Sequence, residues 1–437
     1  MFSANRPRYI KFNFSAASWL LLSSLTSVQL HASGFAVLEQ GATGSATALA
    51  GVASAIDDIS LSYWNPALLT NTETSTLYIN GSYVSADFNM SNVSGKDATK
   101  LYTSDEQGSD PGQEKLIPSF YYVTPINDKA LVGISLNIPF AVSTEYDDDW
   151  AGRYYSTKSE VKDISLAFSG AYRLTQFIDI GASIQLHHSS LNLQTAINDF
   201  NGSATYGTGE IDLEDNLSYG YALGLRVKPR ESTALGVGYR SKVKVDHAGD
   251  ATFNDISVAA QSAPYNISNT TASASNTLPD ILTLSLSQEI NSELTLGLTA
   301  MKTGWHSVQS LVIEFDNEQS DSIIPLNYRD TWLYSLGISY QYSPKLTLKG
   351  GYAQDHAPAK TEDTSPIAPE SDRQWLTLGG RYKINQTSQI MFSVTHLRSD
   401  DLSVYRDGQD EDQGKGEFNG DYRLRVNSAS LAYNFTY

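Results

Sequence analysis

Residues 75–437 predict an all-β fold: a 14-stranded antiparallel transmembrane β-barrel, with an N-terminal hatch (plug) inside the lumen. Three observations carry this expectation. Short turns alternate with long polar loops along the whole stretch, the segments between them alternate apolar with small or polar residues, and an export leader precedes them. Six turns and seven loops make thirteen connections, hence fourteen strands. Tight turns at one rim and long loops at the other are the arrangement of a transmembrane barrel. An even strand number brings both barrel ends to the short-turn side.

The leader comes first. Arg6, Arg8 and Lys11 form a basic start, Phe14 to Leu22 an apolar core too short to span a bilayer, and Leu30-His31-Ala32 a cleavage site. Residues 1–32 therefore read as a signal peptide and Ser33 as the mature start. Export of a chain without cysteine, followed by barrel strands, places it in a Gram-negative outer membrane. The absence of Cys also removes thiolate chemistry, disulfides and Cys-based metal sites.

Residues 33–74 do not alternate like strands. Gly41 to Gly51 is dense in Gly, Ala, Ser and Thr, suited to short helical turns packed in a confined space, and leads through Ala55–Asp58 to Asn65-Pro66-Ala67. Lying between leader and first strand, this segment reads as the hatch. Asn65 bonds neighbouring backbone and Pro66 fixes the chain direction, so Asn65, Pro66 and Ala67 are expected to shape it.

The strands follow. The turns read Pro125–Asp128, Arg173–Gln176, Lys228–Glu231, Glu289–Glu293, Ser343–Lys345 and Lys383–Ser388; the loops lie near 86–113, 142–160, 196–217, 247–277, 316–327, 355–373 and 399–417. In 164–172, Ile164, Leu166, Phe168 and Tyr172 alternate with small residues, and in 332–342 Trp332, Tyr334, Leu336, Ile338, Tyr340 and Tyr342 share one side. About ten tilted residues cross the hydrocarbon, and an open edge in lipid would strand backbone groups, so the sheet must close. Inward positions are rich in Gly, Ser, Ala and Thr with few charges, unlike an ion filter. The last strand ends on Tyr437, the aromatic expected to engage the barrel-assembly machinery. Pro139 interrupts the third strand, where a missing donor marks a bulge or kink.

Composition agrees. Hydrophobic residues make up 41% and mean hydropathy is −0.29, which excludes a bundle of membrane helices but not a barrel. The 26 tyrosines fit aromatic girdles at both interfaces. A net charge of −18 argues against nucleic acid. Its acids concentrate in loops, as at Asp147–Asp149 and Asp407–Asp412, and form a solvated rim that divalent cations would bridge to outer-membrane lipid. His187 and His188 are adjacent on one strand, face opposite sides and cannot chelate together. No catalytic set, cofactor loop or metal motif is discernible. An enzyme is not expected; an outer-membrane lipid hydrolase would need Ser189 or Ser190 near His188.

The ordered motifs Ser33-Gly34-Phe35, Ala55–Asp58, Asn65-Pro66-Ala67, Pro125–Asp128, Ser169–Leu174, Tyr239–Lys244, Leu278-Pro279, Tyr328–Trp332 and Asp372-Arg373-x-Trp375 resemble the FadL family of outer-membrane long-chain fatty-acid and hydrocarbon transporters. The resemblance implies a monomeric barrel blocked by its hatch. It also implies passive uptake of long-chain fatty acids, or of neutral hydrocarbons or aromatic compounds, and lateral release into the bilayer. A non-specific porin is the remaining alternative. By the resemblance, Phe35 contacts the ligand, Ile138 and Phe140 flank it, and Pro139 and Ala141 form the kink that opens the wall. Fatty-acid members carry basic residues on the fifth strand and in the ninth-to-tenth-strand region. Here Thr195 and Ile324 fall there, neither cationic, which favours a neutral ligand; Arg329, Arg373 and Lys302 are the candidate substitutes. Trp305, Trp332 and Trp375, near strand ends, are expected as girdle anchors first and path lining second.

Overall fold

A computed structural model describes residues 34–437 apart from Ile56, 105–107 and 201–205; the leader and Ser33 lie outside the described residues. The wall begins with β1 (Thr76–Lys96), β2 (Glu114–Pro125), β3 (Ala130–Glu145), β4 (Lys158–Arg173) and β5 (Ile178–Asn198). Next come β6 (Tyr206–Asp215 and Ser218–Arg230), β7 (Thr233–Arg240 and Val243–Asn254) and β8 (Thr270–Leu278 and Ile281–Glu289). Then follow β9 (Leu294–Thr303, resuming at Ser310–Phe315), β10 (Thr331–Gln341), β11 (Leu346–Asp355), β12 (Arg373–Lys383), β13 (Ser388–Ser399) and β14 (Glu417–Thr436). Each strand pairs antiparallel with its sequence neighbour, and β14 returns to β1 from Thr76↔Thr436 to Lys96↔Glu417. The wall is a closed fourteen-stranded barrel, so no strand edge meets lipid.

All six short turns connect strands where the sequence places them, but six of the seven long loops are shorter than expected, the exception being the one after Phe315, which runs on to Thr331. β1 and β5 each run 21 residues, about 70 Å at the usual rise, well beyond a tilted membrane crossing. Above the apolar band the strands keep pairing with polar residues such as Asp212, Glu214 and Asp250, whose hydrophilicity reads as loop in the sequence. Below it the alternation is plain: Tyr219, Tyr221, Leu223 and Leu225 are exposed on the lipid side.

The hatch is built from a single-turn helix, α1 (Ala42–Ser45), and two 3-10 turns, Ile59–Tyr63 and Pro66–Asn71. Asp58 caps the first turn by accepting from Ser60 N, and Asn65 caps the second by accepting from Ala67 N at 3.0 Å. Pro66 sits at the first position, where its missing N–H is harmless. Asn65 Nδ2 also donates to Ala53 O at 2.6 Å and to Leu225 O of the wall at 3.0 Å. Two wall glycines make this contact possible. A Cβ at Gly238 would lie 1.8 Å from Trp64 O, and one at Gly224 would lie 2.1 Å from Asn65 Oδ1.

Contrary to the expectation of an almost uncharged inner face, wall cations grip the hatch. Lys349 binds Asp57 at 2.6 Å and Arg381 binds it at 3.3 Å. Arg173 donates to Thr70 O at 2.6 Å, Arg226 to Asn71, and Arg240 to Tyr63 O at 3.1 Å. Arg226 is itself buried against Asp179 at 2.9 Å. The sequence pattern hid these charges because their partners arrive from a remote segment. A buried charge is tolerated when paired and hydrogen-bonded.

Candidate functional site

The wall departs from regular pairing at β3. Asn137 opposes Ser165 and Phe140 opposes Asp163 of β4, so Ile138 and Pro139 together face Ile164 alone. This is a bulge, the local device that bends a strand. On the other side, β2 and β3 pair from Pro125↔Leu131 up to Phe120↔Leu136 and then separate. They meet again only at the Gly112↔Thr144 bridge, with Glu145 N donating to Pro111 O at 3.1 Å. Between these corners residues 113–119 and 137–143 do not pair with each other, leaving an unlaced stretch in the wall.

Unpaired backbone in a membrane wall costs several kcal/mol per group, and the hatch offsets part of this. Val37 N donates to Pro139 O and Ala141 N to Phe35 O, both at 2.9 Å, so Phe35–Val37 forms an antiparallel bridge to the bent strand. Gln40 ties the lower corner. Its Nε2 donates to Ile138 O at 2.7 Å, its Oε1 accepts from Asn137 Nδ2 at 3.0 Å, and its carbonyl accepts from Ser119 Oγ and Tyr121 Oη. β3 has exchanged its neighbour β2 for the N-terminal segment.

A second inward departure lies in β9. Between Thr303 and Ser310 the chain turns through Trp305–Ser307, held by Gly304 N to Asp280 O at 2.8 Å and Ser307 Oγ to Thr277 O at 3.0 Å. The two departures meet at Phe35. Its ring lies 5.9 Å from Phe140 and 4.9 Å from Trp305, both edge-on, and Phe140 and Trp305 are 6.2 Å apart. Trp305 packs edge-on to Tyr328 at 5.8 Å, and Tyr328 Oη donates to Glu370 Oε1 at 3.2 Å. Burial pushes the Glu370 carboxyl up to about 8, against the lowering pull of Arg373 and Tyr328.

The structure brings Phe35, Phe140, Pro139 and Ala141 together, with Ile138 beside them on the outward parity of Val132 and Leu136. Thr195 and Ile324 lie elsewhere. Thr195 Oγ1 donates to the carbonyls of Arg153 and Tyr154 in the β3–β4 loop. Ile324, in the return arm Ser322–Pro325, packs with Leu191, Leu213, Leu311 and Ile313 in an apolar cluster near the loop rim. Of the candidate cations, Lys302 pairs with Asp330 at 2.7 Å, Arg329 is exposed, and Arg373 pairs with Asp355 at 3.1 Å.

Sequence reasoning missed Gln40 and Glu370, and ranked Trp305 as an anchor first. Trp305 and Trp375 are buried inside, whereas half-buried Trp332 stacks on exposed Tyr334 as a girdle residue does. Only the Gly304-Trp305 break in the β9 alternation carried a signal.

The histidines do face opposite sides: His187 is buried against Asp163 at 3.0 Å, and His188 is exposed. Ser165 Oγ stands 3.5 Å from His187 Nε2, the outer limit of a hydrogen bond. Ser189 bonds His247 at 3.0 Å, not His188. Asp163, Ser165, His187, Ser189 and His247 are all buried. Among the described residues no group of carboxylates and histidines gathers to hold a metal ion.

Comparison with known proteins agrees with this geometry. The family model described as "Outer membrane protein transport protein (OMPP1/FadL/TodX)" matches residues 23–437. Outer membrane protein P1 of Haemophilus influenzae is 26% identical over 426 residues, covering 89% of this chain and 90% of that protein. The long-chain fatty acid transport protein of Escherichia coli K12 is 22% identical over 425 residues, covering 90% and 93%. Among solved structures, a Pseudomonas aeruginosa FadL homologue superposes with a TM-score of 0.84 at 21% identity, covering 92% of this chain and 99% of that one. The Ralstonia pickettii toluene transporter TbuX gives 0.68 at 19%, covering 92% and 100%. A closed outer-membrane barrel, a hatch within it and a match over nearly the whole chain lead to one conclusion: this protein belongs to the OMPP1/FadL/TodX family of outer membrane transport proteins.

Proposed function

We propose that the protein takes up long-chain hydrophobic molecules from outside the cell, holds them at the Phe35–Phe140–Trp305 clamp and releases them sideways into the bilayer between β2 and β3. One observation carries this reading: the wall is unlaced between Phe120↔Leu136 and Gly112↔Thr144, and the strand that leaves it is held by the hatch. An apolar cluster near the loop rim, with Leu191, Leu213 and Ile324 buried in it, lines the way in, with Thr195 fixing the loop above. Ligand that reaches Phe35 stands beside Ile138, Pro139 and Ala141 at the exit. The driving force is transfer of apolar surface from water to lipid, about 25 cal/mol per Å², with no other energy source required.

The relatives named for long-chain fatty acids support that ligand class. A second reading, a neutral hydrocarbon or aromatic ligand, is favoured by the pairing of Arg373 with Asp355 and of Lys302 with Asp330. The test of the exit is to replace Ile138-Pro139 by a single valine, which removes the extra residue opposite Ile164. Uptake of labelled oleate and hexadecane by cells should fall to background at equal surface expression. Unchanged uptake would refute lateral release at this site.

A further inference from the structure

We propose that the lipid-facing side of the wall between β7 and β11 holds one lipopolysaccharide molecule of the outer leaflet, with an acyl chain in a trough over Ala300 and a phosphate on Lys242 and Lys302. This site lies apart from the uptake route and does not rest on that reading.

The trough follows from strand register. Ala300 of β9 stands opposite Leu284 of β8 and Tyr334 of β10, so a methyl group separates two large outward side chains. The hollow measures about 720 Å³, and Leu235, Leu284, Leu298, Tyr334, Leu336 and Tyr352, all exposed, are among its lining. That volume is within the ~300–1,000 Å³ of small-molecule sites. The face is the lipid side, because the alternate residues point to the hatch: Thr299 Oγ1 accepts from Gly51 N and Ser285 Oγ from Ala53 N.

β9 rises from a short turn, so the trough beyond Ala300 points to the long-loop rim, which faces outside. There the outward residues become cationic. Lys302 follows Ala300 by two residues, about 7 Å along the strand, and pairs with Asp330 at 2.7 Å. Lys242 Nζ donates to His306 Nε2 at 2.9 Å and stands 3.8 Å from Asp280, while His306 Nδ1 donates to Asp330. Arg329, next to Asp330, is exposed. Lys244 and Asp246, farther up β7, pair at 2.8 Å and cancel. Three cations therefore face two carboxylates, in a chain whose net charge is −18. Both lysine side chains are 38% exposed, and an ammonium has three donors, so each keeps one for a phosphate oxygen. Tyr239 opposite Leu282 and Trp332 opposite Lys302 mark this height as the headgroup level. A second copy packed by the same face would bring two cationic rims together at one height, which disfavours it as occupant.

The experiment titrates the full mature protein, stripped of lipid in detergent, with diphosphorylated lipid A, with its dephosphorylated form and with phosphatidylglycerol. Bound lipid is counted by native mass spectrometry. Diphosphorylated lipid A should bind as one copy per barrel, about tenfold more tightly than either of the others, the factor given by one charge-assisted hydrogen bond. Lys242→Gln/Lys302→Gln should lose that preference. Ala300→Phe, which fills the trough, should weaken lipid A binding about tenfold. Lys345→Gln, at an exposed short turn on the other rim, should bind as the wild type does. Heat-modifiable gel mobility checks the folding of each variant. Equal binding of the dephosphorylated form or of phosphatidylglycerol, or an unchanged preference in folded Lys242→Gln/Lys302→Gln, would overturn the proposal. So would unchanged binding by folded Ala300→Phe, or paired barrels without lipid. Each of these results leaves the uptake reading standing.

Discussion

Phe35 is the meeting point of the two inward departures, and its substitution should show it. Phe35→Ala removes edge-on contacts to Phe140 and Trp305, each worth about 0.5–1.5 kcal/mol beyond buried area, so ligand affinity should drop about tenfold or more. Barrel folding should be unaffected, because the ring touches the wall only at its bends. Glu370 gives a pH signature. Its folded carboxyl is raised from 4.5 to about 8, so its contribution to loop docking is fully present below 4.5 and is lost as pH rises through about 8. Protease protection of the 356–372 loop should therefore be greater at pH 5 than at pH 9. Glu370→Gln should flatten that difference, with Tyr328, Arg373, Asp355 and Glu39 as the facing groups left in place. Phe35 and Pro139 were legible in the sequence, one from a motif and the other because proline cannot donate within a sheet. Gln40 and Glu370 were not, because their meaning depends on partners such as Ile138, 98 residues from Gln40.

At the scale of elements, hatch and wall are fitted backbone to backbone. Gly238→Val would drive side-chain atoms into Trp64 O, so the hatch should be displaced while the barrel still closes. Deleting residues 36–70 should go further and raise single-channel conductance for small ions sharply; conductance already high in the intact protein would favour an open pore. The strands themselves were readable, because a period of two survives wherever one face meets lipid. Their upper ends were not. Above the bilayer both faces are wet, so Asp212 and Asp250 look like loop although they continue the ladder. Nor did the inner face betray Arg226 and Arg240, which satisfy the hatch and not the lumen. Arg226→Ala should destabilise by about 3–5 kcal/mol by leaving Asp179 buried without its closest partner, measurable as a lower unfolding midpoint in urea.

For the whole molecule, a closed wall and a filled lumen leave the unlaced stretch beside β3 as the proposed exit. The barrel contains no cysteine, so a reversible stitch can be placed there cleanly. Lys115 and Ala141 occupy matching positions between the two laced corners, on opposite sides of the opening. In Lys115→Cys/Ala141→Cys, uptake of labelled hydrophobic ligand should fall to background when the pair is oxidised, or bridged by a short dithiol cross-linker, and return on reduction. Unchanged uptake with the cross-link complete would contradict the account, because ligand would then be leaving by another route.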